Sequence, residues 1–393
     1  MSGTKRVHYI DNLRWMTVFL LVLYHAAMAY NTWGELNYIF FSEVPAIISI
    51  VTFIAPWFMP LLFLLAGMST YYSLSKRSAG EFLRERVVRL GIPFLFGILV
   101  ITPILSLIAD ITVNGDDHNY FSHYEIYFTY FTDLTGYDGG FTFGHLWFIF
   151  VLLLYSVCAC GIIKAGAALF GEGKRGTGRA GLIVAAILLS LLAVATYEVK
   201  LIGKPLIMYF CMYLLGYCIT SIDAKGEASS APTTTGSTQV PAQSQPSATK
   251  EPERKSLVGK LAKAKWILVA LFLVSSVADV VLFHFVEGYD TLNTVCSYLS
   301  FVTGVPALLA LGHDYLDRTS AFAAYNSKIS YVFYIVHFPV VVLTQYYLDR
   351  AGVGYILNFV LTLLIAYPAT YGLCVLIEKT KNVRVLFGLK KKD

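Results

Sequence analysis

Residues 9–30 read YIDNLRWMTVFLLVLYHAAMAY, an apolar stretch long enough to cross a bilayer but interrupted by a guanidinium and an imidazole. Arg14 and His25 stand eleven residues apart, close to three helical turns, so both project from nearly the same helix face. At 1.5 Å per residue they are separated by roughly 16 Å, about half the hydrocarbon thickness. Ionisable groups are costly at such depth and by default mark a functional path. The pair predicts a site that begins at one membrane face and does its chemistry deeper in.

The rest of the chain has the same character. Of 393 residues, 56% are hydrophobic, 15% aromatic and only 14% charged, which excludes an ordinary soluble enzyme and predicts an all-α, polytopic integral membrane protein. Apolar runs predict ten transmembrane helices near 12–30, 45–73, 92–110, 144–163, 180–198, 205–222, 265–286, 293–312, 327–345 and 354–377. With the N-terminus inside, every Lys and Arg except Lys200, Lys204 and Arg350 falls on the cytoplasmic side. That asymmetry predicts both termini inside, in the cell (cytoplasmic or inner) membrane. The net charge of +5 then reflects anchoring to the bilayer, and no nucleic-acid partner is expected. Self-association into a homo-oligomer is compatible with such a chain.

Two segments depart from this pattern. Between the third and fourth spans, Asp110, Asp116, Asp117, Glu125, Asp133 and Asp138 stand among Tyr120, Phe121, Tyr124, Tyr127, Phe128, Tyr130, Phe131 and Tyr137, without Lys or Arg. This reads as an interfacial aromatic belt, or as a lid whose rings stack on sugars. The stretch AKGEASSAPTTTGSTQVPAQSQPSATKEPE, from Ala224 to Glu253, is too poor in apolar residues to fold alone. The predicted organisation is therefore 1–222 with helices one to six, 223–264 as a disordered and amphipathic cytoplasmic linker, 265–380 with helices seven to ten, and 381–393 as a basic tail. The six cysteines, at 158, 160, 211, 218, 296 and 374, lie in apolar spans without metal-ligand spacing and read as packing residues. Lys5-Arg6 and Ala27-Met28-Ala29 imitate a secretory leader, but Asp11 and Arg14 inside the apolar stretch argue against cleavage.

The residues able to carry chemistry are few. Before the third span, LRERVVRLGIP places Arg84, Arg86 and Arg89 at the inner surface. Arg86 and Arg89, three apart, read as helix neighbours whose planar forks suit phosphate. The plainer reading is positive-inside anchoring, and convergence with Arg14 is what favours a polyphosphate clamp. His25, His145 in GHLWFIF, His337 in YIVHFP and His284 are the imidazoles at or near membrane depth. A neutral imidazole can take a proton from a hydroxyl, whereas an arginine cannot. Asp279 or Glu287 could orient such a base. Trp147 and Tyr331 accompany the histidines as acceptor-side or supporting residues. No GxSxG, HExxH, Walker or Rossmann motif occurs, so no metal or nucleotide-hydrolysing site is expected.

Several of these segments, in order, resemble the membrane-bound acyltransferase-3 family. Its opening Arg, ten residues and His is matched by Arg14 and His25, and its RxxR motif by Arg86-Val87-Val88-Arg89 with Leu90-Gly91-Ile92-Pro93 following. WFMPLLFLLAGMSTYYSL, GHLWFIFVLLLY and SKISYVFYIVHFPVV resemble its later signatures. Helix one and LRERVVRLGIP look closest to the branch that succinylates periplasmic glucans, without the hydrolase-like extra domain of some relatives. The resemblance implies acyl-coenzyme A as cytoplasmic donor, its phosphates held by Arg14, Arg86 and Arg89. It also implies His25 as general base toward a hydroxyl of an extracytoplasmic glycan or other hydroxylated acceptor, with acetyl or succinyl transferred. The alternative from the residues alone is a secondary transporter or exporter of an acylated or carbohydrate-like molecule. Such transporters carry inverted repeats and broken helices, which the sequence does not display clearly.

Overall fold

The computed structural model describes residues 7–116, 118–170, 179–230 and 256–391. Apart from one isolated bridge between Leu201 and Lys204, the described residues form only helices, turns and loops. The long elements are α1 (His8–Met28), α2 (Pro45–Leu74), α3 (Ala79–Asn114), α5 (Trp147–Phe170), α6 (Arg179–Ala195), α7 (Leu206–Ser230), α9 (Lys265–Phe285), α10 (Asp290–Tyr315), α11 (Ala321–Arg350) and α12 (Tyr355–Lys379). Short helices are α4 (His123–Thr129), α8 (Leu257–Lys263) and α13 (Val383–Leu386). Among the described residues, eight helices are long and apolar enough to cross a membrane: α2, α3, α5, α7 and α9–α12. The shorter α6 and the charged α1 fall on the remaining two expected spans.

The third helix starts earlier than the apolar pattern predicted, at Ala79 instead of 92. Ser78 accepts the Glu81 backbone N–H and the Glu81 carboxylate accepts from the Ser78 N–H, a reciprocal cap that outweighs the polar composition of the first turns. The same helix widens into π turns at Val87–Gly91, Gly97–Ile101 and Asp110–Asn114. Such bulges concentrate at functional sites because they re-aim side chains out of the α register.

Helix packing relies on small residues and satisfied polar groups, as expected where burial against lipid supplies little driving force. A Cβ on Gly67 would fall 1.8 Å from the Tyr213 carbonyl oxygen, and one on Gly216 2.0 Å from that of Leu64, so α2 and α7 cross backbone to backbone. α1 lies against α11, with Phe19 stacked on Phe333 at 4.2 Å. Gln345 donates to the Ala26 carbonyl at 2.9 Å, and Asn358 of α12 donates to the Gln345 carbonyl at 3.1 Å. Every such bond is worth keeping in a medium that offers no water.

The two ends of the bundle differ in chemistry. One carries the ion pairs Lys265–Asp314 (2.5 Å) and Lys328–Glu378 (2.8 Å), and the pair Arg77–Glu85. The opposite end carries the aromatic loop, in which Tyr127 is buried while Phe121, Phe128, Tyr130 and Phe131 are exposed. Burial pushes the Tyr127 phenol up to about 12, with its hydrogen bonds to Thr102 and Thr142 opposing, so it stays a neutral hydroxyl.

Most of the expected 223–264 linker, 231–255, lies outside the described residues. Its flanks are helical. α7 continues to Ser230, and α8 is capped by Ser256 and tied back by the Leu257 N–H to the Asp223 carboxylate at 2.6 Å. The expected 381–393 tail, described as far as residue 391, also folds back: Phe387 is buried edge-on against Phe96, and Gly388 lies against the Tyr331 ring and the Arg89 carbonyl.

Candidate functional site

His25, His145 and His337 converge. His25 comes from α1, His337 from the middle of α11, and His145 from the tight turn Gly144–Leu146 that starts α5. The His337 ring centroid lies 5.3 Å from that of His25 and 5.2 Å from that of His145. Phe338 stacks on His25 at 3.9 Å. His337 and His145 are buried, while His25 retains partial exposure.

Hydrogen-bond partners decide the tautomers of the two buried rings. His337 Nδ1 lies 2.7 Å from the Tyr334 carbonyl and 3.2 Å from that of Phe333; His145 Nε2 lies 2.8 Å from that of Ile335. Carbonyl oxygens only accept, so these nitrogens carry the protons. His337 Nε2 and His145 Nδ1 are left as bare lone pairs, buried and without a hydrogen-bond partner among the described residues. The His145 ring is further fixed because its own carbonyl accepts from the Tyr334 hydroxyl. Two neutral imidazoles with preset acceptor nitrogens beside a third that is reachable make a group suited to moving a proton.

Arg14 and Arg86 gather on one turn of α2. Arg14 donates to Ser69 Oγ and lies 3.4 Å from the Leu65 carbonyl, with Asp11 at 3.2 Å. Arg86 reaches the next residue, Thr70, at 3.5 Å and lies over the Phe82 ring at 5.0 Å. Thr70 continues to Tyr213 at 2.6 Å. Arg89 takes a different direction from the one its spacing suggested: it is exposed and pairs with Glu85 at 3.2 Å. Arg89 sits in the π turn that begins immediately after Arg86, and the wider turn separates two side chains that an α-helix would keep adjacent.

Arg89 instead borders a cleft of about 630 Å³ with Arg77, Arg84, Lys390 and Lys391, and with Glu81 and Glu85 on its wall. The returning tail supplies part of this lining. Its only sequence signal was the apolar run in VRVLFG.

Other expected residues fall elsewhere. Asp279 is buried on α9 and accepts from Asn293 Nδ2 at 2.8 Å, so it braces α10 and not a histidine. His284 bonds Thr52 at 2.7 Å. Glu287 stands in the turn between α9 and α10. Tyr331 lies between the two groups on α11, its hydroxyl buried without a hydrogen-bond partner among the described residues. Trp147 stands two residues after His145, stacks on Tyr209 at 5.9 Å, and has the Lys204 ammonium over its ring at 5.6 Å. Among the described residues, no carboxylate hydrogen-bonds His25, His145 or His337; for His145 and His337 backbone carbonyls take that place.

This is a multi-pass helical membrane protein with a histidine group inside its bundle and an arginine group toward one end. A family model described as an acyltransferase domain, that of acyltransferase-3, matches residues 7–379, and the chain belongs to that family of membrane acyltransferases. No curated protein and no solved structure matches it.

Proposed function

We propose that the protein is an O-acyltransferase that carries an acyl group from acyl-coenzyme A, docked at the basic end, to a hydroxyl of a glycan arriving from the opposite end. The observation that carries this reading is the reachable His25 beside two buried imidazoles, on the same helix face as Arg14. Arg14 and Arg86, held by neighbouring residues of α2, bind the donor phosphates as paired forks. Arg89 and the tail cleft receive the more solvated part of the donor.

The pantetheine arm spans the roughly 16 Å from Arg14 to His25. His25 removes the acceptor proton as the hydroxyl attacks the thioester carbonyl; the C–S bond breaks, the departing thiolate takes that proton from His25, and the thiol leaves toward the basic end. His337 and His145 act as positioning residues, in the role that a carboxylate fills elsewhere. Acetyl and succinyl both suit the reading, as does a branch acting on periplasmic glucans. The membrane is the cytoplasmic one, with both termini on its inner side.

The test reconstitutes the protein with radiolabelled acyl-coenzyme A and a soluble glycan. His25→Ala should abolish acceptor labelling while donor binding persists. Wild-type labelling by that variant would overturn the role of His25. Flux of acylated glycan in vesicles lacking acyl-coenzyme A would favour the transporter alternative.

A further inference from the structure

The aromatic loop between α3 and α5 holds a second set of buried polar atoms, separate from the histidine group. Ser106 Oγ lies 2.8 Å from His123 Nε2, 2.7 Å from the Gly139 carbonyl and 2.9 Å from that of Gly140. A hydroxyl has one proton and carbonyls only accept. The Ser106 proton therefore goes to the carbonyls, and His123 Nε2–H donates to Ser106. In the neutral ring this leaves a bare lone pair on Nδ1.

That lone pair meets another acceptor. His123 Nδ1 lies 3.2 Å from Asp110 Oδ2, and neither atom has a hydrogen-bond partner among the described residues. His123 is 0% exposed and Asp110 2%. Two facing acceptors without water repel unless a cation is shared between them. The carboxylate is also held rigidly. Oδ1 accepts from Asn114 Nδ2 at 2.8 Å, and Gly139, at φ +84°, closes over it so tightly that a Cβ would fall 2.7 Å from Oδ1.

Two further donors lie beside Asp110. Ligand atoms of Asp110, Asp116 and His118 all lie within 4.8 Å of one another; His123 stands outside that group, its ring centroid 6.4 Å from that of His118, and joins it through Asp110. We propose that Asp110, Asp116, His118 and His123 form a binding site for a zinc-like divalent cation that clamps the loop to α3.

Two donors each about 2.0–2.1 Å from a zinc ion stand about 2.9–3.4 Å apart, a range that includes the Nδ1–Oδ2 spacing. Two imidazoles with two carboxylates suit zinc better than calcium or magnesium, which prefer all-oxygen shells. Asp110 and His123 form the rigid floor, and the exposed Asp116 with the half-exposed His118 closes over the ion from the loop side. The clamp has leverage on the catalytic end of the molecule. α4 carries Tyr127, which donates to the Thr142 carbonyl at 3.0 Å, and Thr142 precedes the His145 turn by two residues.

The test uses untagged full-length protein in detergent, stripped with a chelator and reloaded. Wild type should bind one Zn²⁺ per chain by elemental analysis and melt about 5 °C higher when loaded. Cobalt loading should give the visible absorption of a mixed nitrogen and oxygen shell. The surface double variant Asp116→Asn/His118→Ala should melt like stripped wild type and bind zinc at least about tenfold more weakly. Asp110→Asn keeps the acceptor for Asn114 and offers an amide N–H to His123 Nδ1, so it should fold normally and lose the response to zinc. Stoichiometric zinc absent from wild type, affinity unchanged in either variant, or an equal response to calcium each overturns the proposal. Absence of zinc from wild type would mean that the pair shares a proton.

Discussion

The arginines and the histidines of this protein solve opposite problems. Arg14, Arg86 and Arg89 each have a partner: Asp11 and Ser69, Thr70 and Phe82, and Glu85 respectively. They gather toward the end of the bundle that carries the ion pairs, and all three keep some exposure. His145 and His337 are buried deeper and are left with bare nitrogens. A permanent charge must be solvated or paired wherever it sits, whereas a neutral imidazole tolerates an unmatched lone pair at modest cost. The difference teaches where each kind of work belongs. On the proposed mechanism, charge is held ready for an anionic ligand near water, and proton acceptance is kept in the interior.

That contrast can be broken or sharpened by substitution, from the largest effect to the smallest. His25→Ala should lower the rate of acyl transfer by about 10³-fold, within the span of general-base contributions, with donor affinity changed less than about twofold. A parallel loss of donor affinity would merge the two regions into one. Arg86→Gln should raise the donor KM by about 10–100-fold, the value of a charge-assisted bond, with kcat largely intact; steady-state kinetics separates the two parameters. His337→Phe should slow transfer by about 10–100-fold without loss of melting temperature, since it removes a buried orphan nitrogen along with a positioning ring. A fall in melting temperature with unchanged kcat would make His337 a packing residue. Arg89→Gln, at an exposed and already paired position, should raise the donor KM only about two- to fivefold. An effect equal to that of Arg86→Gln would show that the π turn does not distinguish them.

Much of this was legible from residue order. The apolar runs located every long helix because length and hydropathy are local properties, and the bilayer demands both. Arg14 and His25 share one helix, so their relation followed from helical geometry alone. The cap at Ser78 and Glu81 was also written in the sequence, but hydropathy outvoted it and the third helix was expected to begin too late.

Long-range placement was not legible. Asp279 pairs with Asn293, fourteen residues away across one turn, and no periodicity distinguishes that partner from a histidine on another helix. Arg86 and Arg89 diverge because of a π turn, which no residue in VVRLG announces by itself. The tail returns to α3 because Phe387 finds Phe96, a contact between residues almost three hundred positions apart.

By itself, then, the sequence determined a helical membrane chain, the positions of its long helices, and one stripe with a guanidinium and an imidazole eleven residues apart. The tertiary structure alone decided that His145 and His337 would join His25, and which nitrogen of each would be bare. The physical reason is that helix formation depends on neighbours a few residues away. The environment of a side chain in a bundle depends on which helices touch, and their close crossings, such as Gly67 against Tyr213, are fixed only when the whole bundle packs.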